Sequence, residues 1–174
     1  MSVPEPTPSD DAVEIIHRVN RLKIKAGGDP SGPAGRLDPR LVANASAVVQ
    51  AKVPDYLNEA ARHLSELELL LTALMREIEL ERRQDLLRRI AGVAHEAQAQ
   101  GTTFGYPLAT RFAGSLRDFC ERIEDTDGAR LQIVKAHVDA FKAVIRGKIA
   151  NDGGAIGTAL VEALETAIER HGVQ

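Results

Sequence analysis

The residue of this sequence with the most chemistry to offer is His95, in the stretch AHEAQAQGTTFGYPL from Ala94 to Leu108. Helical positions advance by roughly 100° per residue. That spacing gathers Leu86, Ile90, Val93, Ala94, Ala97 and Gly101 into one apolar stripe suited to burial. His95 projects about 150° from the middle of the stripe. Its neighbours on the outer face are Arg88, Ala91, Gln98, Ala99 and Thr102. A neutral imidazole is a nucleophile near neutral pH, because its unperturbed pKa is about 6.5. Ala91 and Ala99 leave room beside the ring, and the Gln98 amide can donate a hydrogen bond to an anion. These residue types in this order suit a phosphate-accepting nucleophile that serves a macromolecular partner. They suit a metal ligand or a packed side chain less well.

No other constellation in the chain competes with it. His17, His63, His137 and His171 have no spacing that puts two on one helical turn, and a zinc site needs three or four convergent ligands, so no metal is expected. The lone cysteine, Cys120, excludes an internal disulfide and reads as a small buried hydrophobe. Neither a P-loop nor a GxGxxG pattern is present, and no acid/base pair or triad can be assembled. The chain is therefore expected to bind no cofactor and to be no enzyme in its own right. A formal charge of −3 gives no reason to expect nucleic acid as the main partner. The N-terminus lacks the pattern of a signal peptide, and no apolar run reaches the length of a membrane span. A reducing, cytoplasmic compartment fits this cysteine usage.

The elements that must position His95 read as helices throughout. Of the 174 residues, 44% are hydrophobic but only 3% aromatic, so the core is aliphatic. Residues 1–8 read as disordered, followed by a short helix opening near Asp11 and a Gly/Pro linker from Ala26 to Gly35. Asp38-Pro39 opens a helix to about Lys52. Pro54 starts a long one with Leu57, Ala60, Leu64, Leu67, Leu71, Leu74 and Ile78 inward. The His95 helix is expected over about 83–100. The next runs from Pro107 to about Glu124 with Leu108, Phe112, Leu116, Phe119 and Ile123 inward. The one after carries Leu131, Val134, Val138, Phe141 and Ile145, and the last Ile156, Leu160, Leu164, Ala167 and Ile168. No segment alternates long enough to be a strand. The reading is all-α, and the short connections between about residues 54 and 149 favour an up-down antiparallel four-helix bundle. Three regions follow: a tail, short helix and linker over 1–37, the bundle over 38–150, and a C-terminal helix packed on it over 151–174.

The order of helix, helix with an outward histidine, Gly-containing bend, helix, turn and helix resembles the histidine phosphotransfer (HPt) domain of multistep two-component signalling. The resemblance covers about residues 54–149 and is densest from Ala94 to Glu124. It implies that His95 is the phosphoacceptor, taking a phosphoryl group from, or passing it to, the aspartate of a response-regulator receiver domain. It implies a receiver domain or a hybrid histidine kinase as partner, with the receiver bringing Mg²⁺ and most catalytic groups. Gln98 stands where the family commonly has Lys, and Ala99 where it commonly has Gly. Gln98 would orient the phosphate, Arg88 would supply charge, and Arg88, Ala91, Ala99 and Thr102 would form the receiver-docking face. The exchange of Lys for Gln also leaves an alternative: a degenerate scaffold of the same fold that docks receiver or kinase domains without transferring phosphate.

Overall fold

The computed structural model describes residues 21–25, 39–123 and 127–171. They form seven helices: α1 (Arg21–Lys25), α2 (Pro39–Ala51), α3 (Val53–Arg76), α4 (Leu80–Gln98), α5 (Pro107–Arg122), α6 (Gly128–Gly147) and α7 (Gly154–His171). Among the described residues there is no strand. The expected disorder of residues 1–8, the start of the first helix near Asp11, the linker and the boundary between residues 37 and 38 lie outside the described residues.

The chain divides into two compact units, Met1–Ala43 and Asn44–Gln174, with the division inside α2. In the first, α1 exposes Leu22 and Ile24, and the start of α2 exposes Leu41 and Val42. In the second, α3 packs on α4 and α6, and α5 packs on the same two helices, so that α3, α4, α5 and α6 close a ring of pairwise contacts. α7 packs on α6. The core runs through the ring, with Leu67, Leu74, Ile90, Phe112, Leu116, Val134, Phe141 and Val144 buried in it.

The helix ends follow from local chemistry. Pro54 falls in the first turn of α3, where a missing N–H costs nothing. Asp127 caps α6, its side chain accepting the Arg130 N–H at 2.8 Å. The bend between α3 and α4 departs from expectation. The Glu77 carboxylate accepts the backbone N–H groups of Ile78 (2.9 Å) and Glu79 (3.0 Å), and these donors hold its carboxyl below the usual range. Arg83 Nε donates to the Glu77 carbonyl at 2.6 Å. α3 therefore stops at Arg76 and α4 begins at Leu80, earlier than the expected 83. Ile78, expected inward, sits in the bend and is exposed. Ile156, also expected inward, is exposed near the start of α7.

Among the described residues, one polar side chain lies wholly inside. His137 on α6 has no exposed surface. Its Nδ1 lies 2.8 Å from the Ile133 carbonyl and its Nε2 lies 2.9 Å from Ser115 Oγ on α5. A carbonyl can only accept, so Nδ1–H donates and Nε2 accepts the Ser115 hydroxyl proton. Phe119 stacks on the ring at 5.7 Å. Burial lowers the His137 pKa below its ordinary 6.5, against the carbonyl of Ile133, which favours the charged form. The folded chain keeps this ring neutral while the unfolded chain protonates it as pH falls through 6.5, so the unfolded state binds more protons and stability falls with pH. The melting temperature should therefore decline as pH is lowered from about 7.5 to 5.5, and His137→Leu should flatten that slope. Equal slopes for the two proteins would place the titration elsewhere.

Candidate functional site

His95 lies near the C-terminal end of α4, on its solvent side. The inward face of α4 is Leu87, Ile90, Ala91, Val93, Ala94 and Ala97, all buried. This stripe is turned slightly from the expected one: Leu87 is buried where Leu86 was expected, and Leu86 is half-buried. Ala91 is corrected with it. Placed on the open face by simple periodicity, it is only 6% exposed, because the packing of α5 against α4 covers that edge of the helix.

α4 and α5 meet through small side chains. Ala91, Ala94 and Ala97 are buried on one helix, and Ala109, Ala113 and Gly114 on the other. The bend between them is tight. Tyr106 N–H donates to the Gly101 carbonyl at 2.7 Å, and Thr102 N–H to Thr110 Oγ1 at 2.9 Å. A Cβ on Gly101 would lie 2.6 Å from Thr110 Oγ1 and 2.8 Å from the Tyr106 carbonyl, so the bend admits only glycine there without rearrangement. Tyr56 of α3 stacks on Phe104 at 5.2 Å and covers the bend. The C-terminal end of α4 is thereby clamped to the start of α5.

This clamp brings an unforeseen residue to the imidazole. Arg117 of α5 places Nη1 at 3.4 Å from His95 Nδ1 and at 2.8 Å from Gln98 Oε1. Its Nε and Nη2 reach Asp118 Oδ1 at 3.0 and 2.5 Å, and that carboxylate raises the guanidinium pKa further. A guanidinium donates only, so in this contact His95 Nδ1 accepts, and a neutral ring so paired carries its proton on Nε2. The Gln98 amide is half-buried and folds across Gly114. A Cβ at that position would stand 2.8 Å from Gln98 Nε2.

The other residues expected at the site distribute unevenly. Arg88, Ala91 and His95 line one open groove with Leu87, Cys120 and Ile123. Arg88 is exposed and paired with Asp85 on its own helix. Ala99 is exposed at the end of α4. Thr102 is exposed too, but its hydroxyl lies 3.2 Å from Thr110 Oγ1, within the bend. Glu96 turns toward α3, where its Oε2 lies 3.6 Å from His63 Nε2. Among the described residues no group of His, Cys, Asp or Glu is placed to hold a metal ion, and no helix is long and apolar enough to cross a membrane.

Arg117 escaped the sequence reading because periodicity fixes a residue's face on its own helix, not its opposite number on the next. Gly114 and Arg117, three residues apart on one face of α5, were the available signal: a gap followed by a cation one turn later.

The chain was compared with family models, curated proteins and solved structures, and it matches none of them.

The groove has a buried floor, and Cys120 reports on it. Burial pushes the thiol from its ordinary 9.0 up to about 12. Thiolate is the reacting species. Alkylation of native Cys120 at pH 8 should be at least about a hundredfold slower than in the urea-unfolded chain. Comparable rates, followed by mass spectrometry, would show the floor to be open.

Proposed function

We propose that this chain is a histidine-containing phosphotransfer protein in which His95 carries the phosphoryl group between receiver aspartates. In this reading the ring of α3, α4, α5 and α6 is an up-down bundle of the HPt type, with α7 added to it. The observation that supports it best is the placement of Arg117. The resemblance left the histidine without the neighbouring cation that the family commonly supplies from the same helix. Here a cation stands 3.4 Å from the ring, donated by the next helix instead.

The chemistry needs a free lone pair at the attacking nitrogen. In the resting contact Nδ1 accepts from Arg117 and Nε2 bears the proton. Attack by Nε2 requires the other neutral tautomer, in which Nδ1–H can no longer accept from Arg117. The guanidinium is then released from the ring and can turn to the incoming phosphoryl oxygens, to which it donates charge-assisted hydrogen bonds. The Nε2 lone pair forms the N–P bond while the P–O bond to the receiver aspartate breaks and the carboxylate leaves with that electron pair. The charge on the transferring group is spread over its equatorial oxygens, so positioning and electrostatics carry the catalysis. Arg117 supplies charge, Gln98 holds Arg117 in reach, and the open side of the groove admits the receiver. Reverse transfer follows the same path backwards.

The docking-only reading keeps one observation in its favour. The Gln98 carbonyl oxygen already accepts from Arg117, which leaves only its amide NH2 to donate to a phosphoryl oxygen, without the charge that Lys supplies in the family pattern.

Incubation with phosphorylated receiver domains should give acid-labile, base-stable label on the chain, absent from His95→Gln. Arg117→Ala should slow transfer by about tenfold or more, and Arg88→Ala by less. Label retained on His95→Gln would overturn the assignment. Receiver binding without any label, unchanged by His95→Ala, would establish the docking-only scaffold in its place.

A further inference from the structure

A second groove runs between α3 and α4, lined by Ala61, Ser65, Leu69, Ala73 and Leu86, and it shares no residue with the groove beside His95. Leu69 is 73% exposed at its edge, and Ile78 and Leu80 stand exposed where the hairpin turns. Single exposed leucines are ordinary on protein surfaces. This one belongs to an apolar strip with a particular charge pattern on its rim. Arg62 and the neighbouring Arg82 are each taken by an acid on or beside their own helix, Glu59 and Glu79. Glu66 and Arg89, which flank the groove on opposite helices, make no ion pair and no side-chain hydrogen bond among the described residues.

Their levels along the hairpin match. Glu66 lies twelve residues before Ile78 and Arg89 eleven after it, while Leu69 lies nine before and Leu86 eight after. In an antiparallel pair joined by a short bend, each couple stands at one height. A two-fold axis parallel to the helices would set each α3 against the α4 of a second copy. Leu69 would then meet the second copy's Leu86, and Glu66 the second copy's Arg89, twice over. The alternative two-fold, with α3 on α3, leaves both charges unanswered. We propose that this face pairs with the same face of a second copy of the chain, giving an isologous dimer that leaves the His95 groove uncovered.

Sedimentation equilibrium of the full chain over about 1–200 µM tests it. The mass should rise toward twice 18.8 kDa. Leu69→Asp should raise the dissociation constant by at least about tenfold. Glu66→Arg and Arg89→Glu should each weaken the dimer about tenfold, and the double swap should bring it back to within about threefold of the original. All three substituted positions are exposed, and circular dichroism would verify that each variant is folded. A monomer at every concentration overturns the proposal. So does a dimer indifferent to Leu69→Asp, or one that the double charge swap fails to restore. Phosphate transfer plays no part in the readout, so the proposed function and the dimer stand or fall separately.

Discussion

The close approach of α4 to α5 is the constraint on which the site depends. Alanine and glycine on both facing surfaces remove the side-chain bulk that would otherwise hold two helices apart, and interaxial distance follows that bulk. Gly101 and Thr110 fix the height at which the two helices start. With distance and height both set, Arg117 has one place to go. It lies across the seam with the imidazole on one side, the Gln98 amide below it and Asp118 holding its far edge. A larger residue at Gly114 would lift Gln98 and, with it, one of the three anchors of the guanidinium.

The rest of the ring keeps the seam rigid. α6 lies behind α5 and contributes His137, whose two nitrogens are both satisfied in the dark side of the core. A buried polar group with fixed donors and acceptors allows few alternative packings. It thus sets the rotation of α5 about its own axis, since Ser115 must face α6 while Gly114 and Arg117 face α4. On the outside, Glu68 of α3 receives Lys142 and Arg146 of α6 at 2.8 Å each, and Arg111 of α5 reaches Glu165 of α7 at 3.2 Å. Exposed pairs of this kind add little stability.

Periodicity made the helical class, the order of α2 through α7 and most of the core legible. Leu64, Leu67, Leu74, Ile90, Phe112, Leu116, Val138 and Phe141 were all readable as inward positions and are buried. The exposure of His95 was readable in the same way. The misses share one cause. Ala91 and Ile78 were placed by extending an ideal helix, but the first is covered by a neighbouring helix and the second falls where Glu77 caps the chain with its own carboxylate. Arg88, from which charge is expected, pairs with Asp85 on its own helix.

What the sequence determined by itself was therefore local: which segments coil, which faces are apolar, and that an imidazole stands on the polar side of one of them. Those properties depend on residues a few positions apart, and a 3.6-residue repeat reports them directly. Only the tertiary structure decided which cation stands beside that imidazole. Twenty-two residues separate His95 from Arg117, and their meeting depends on the length of a bend and the thickness of a seam. Neither is written in the pattern of either helix alone.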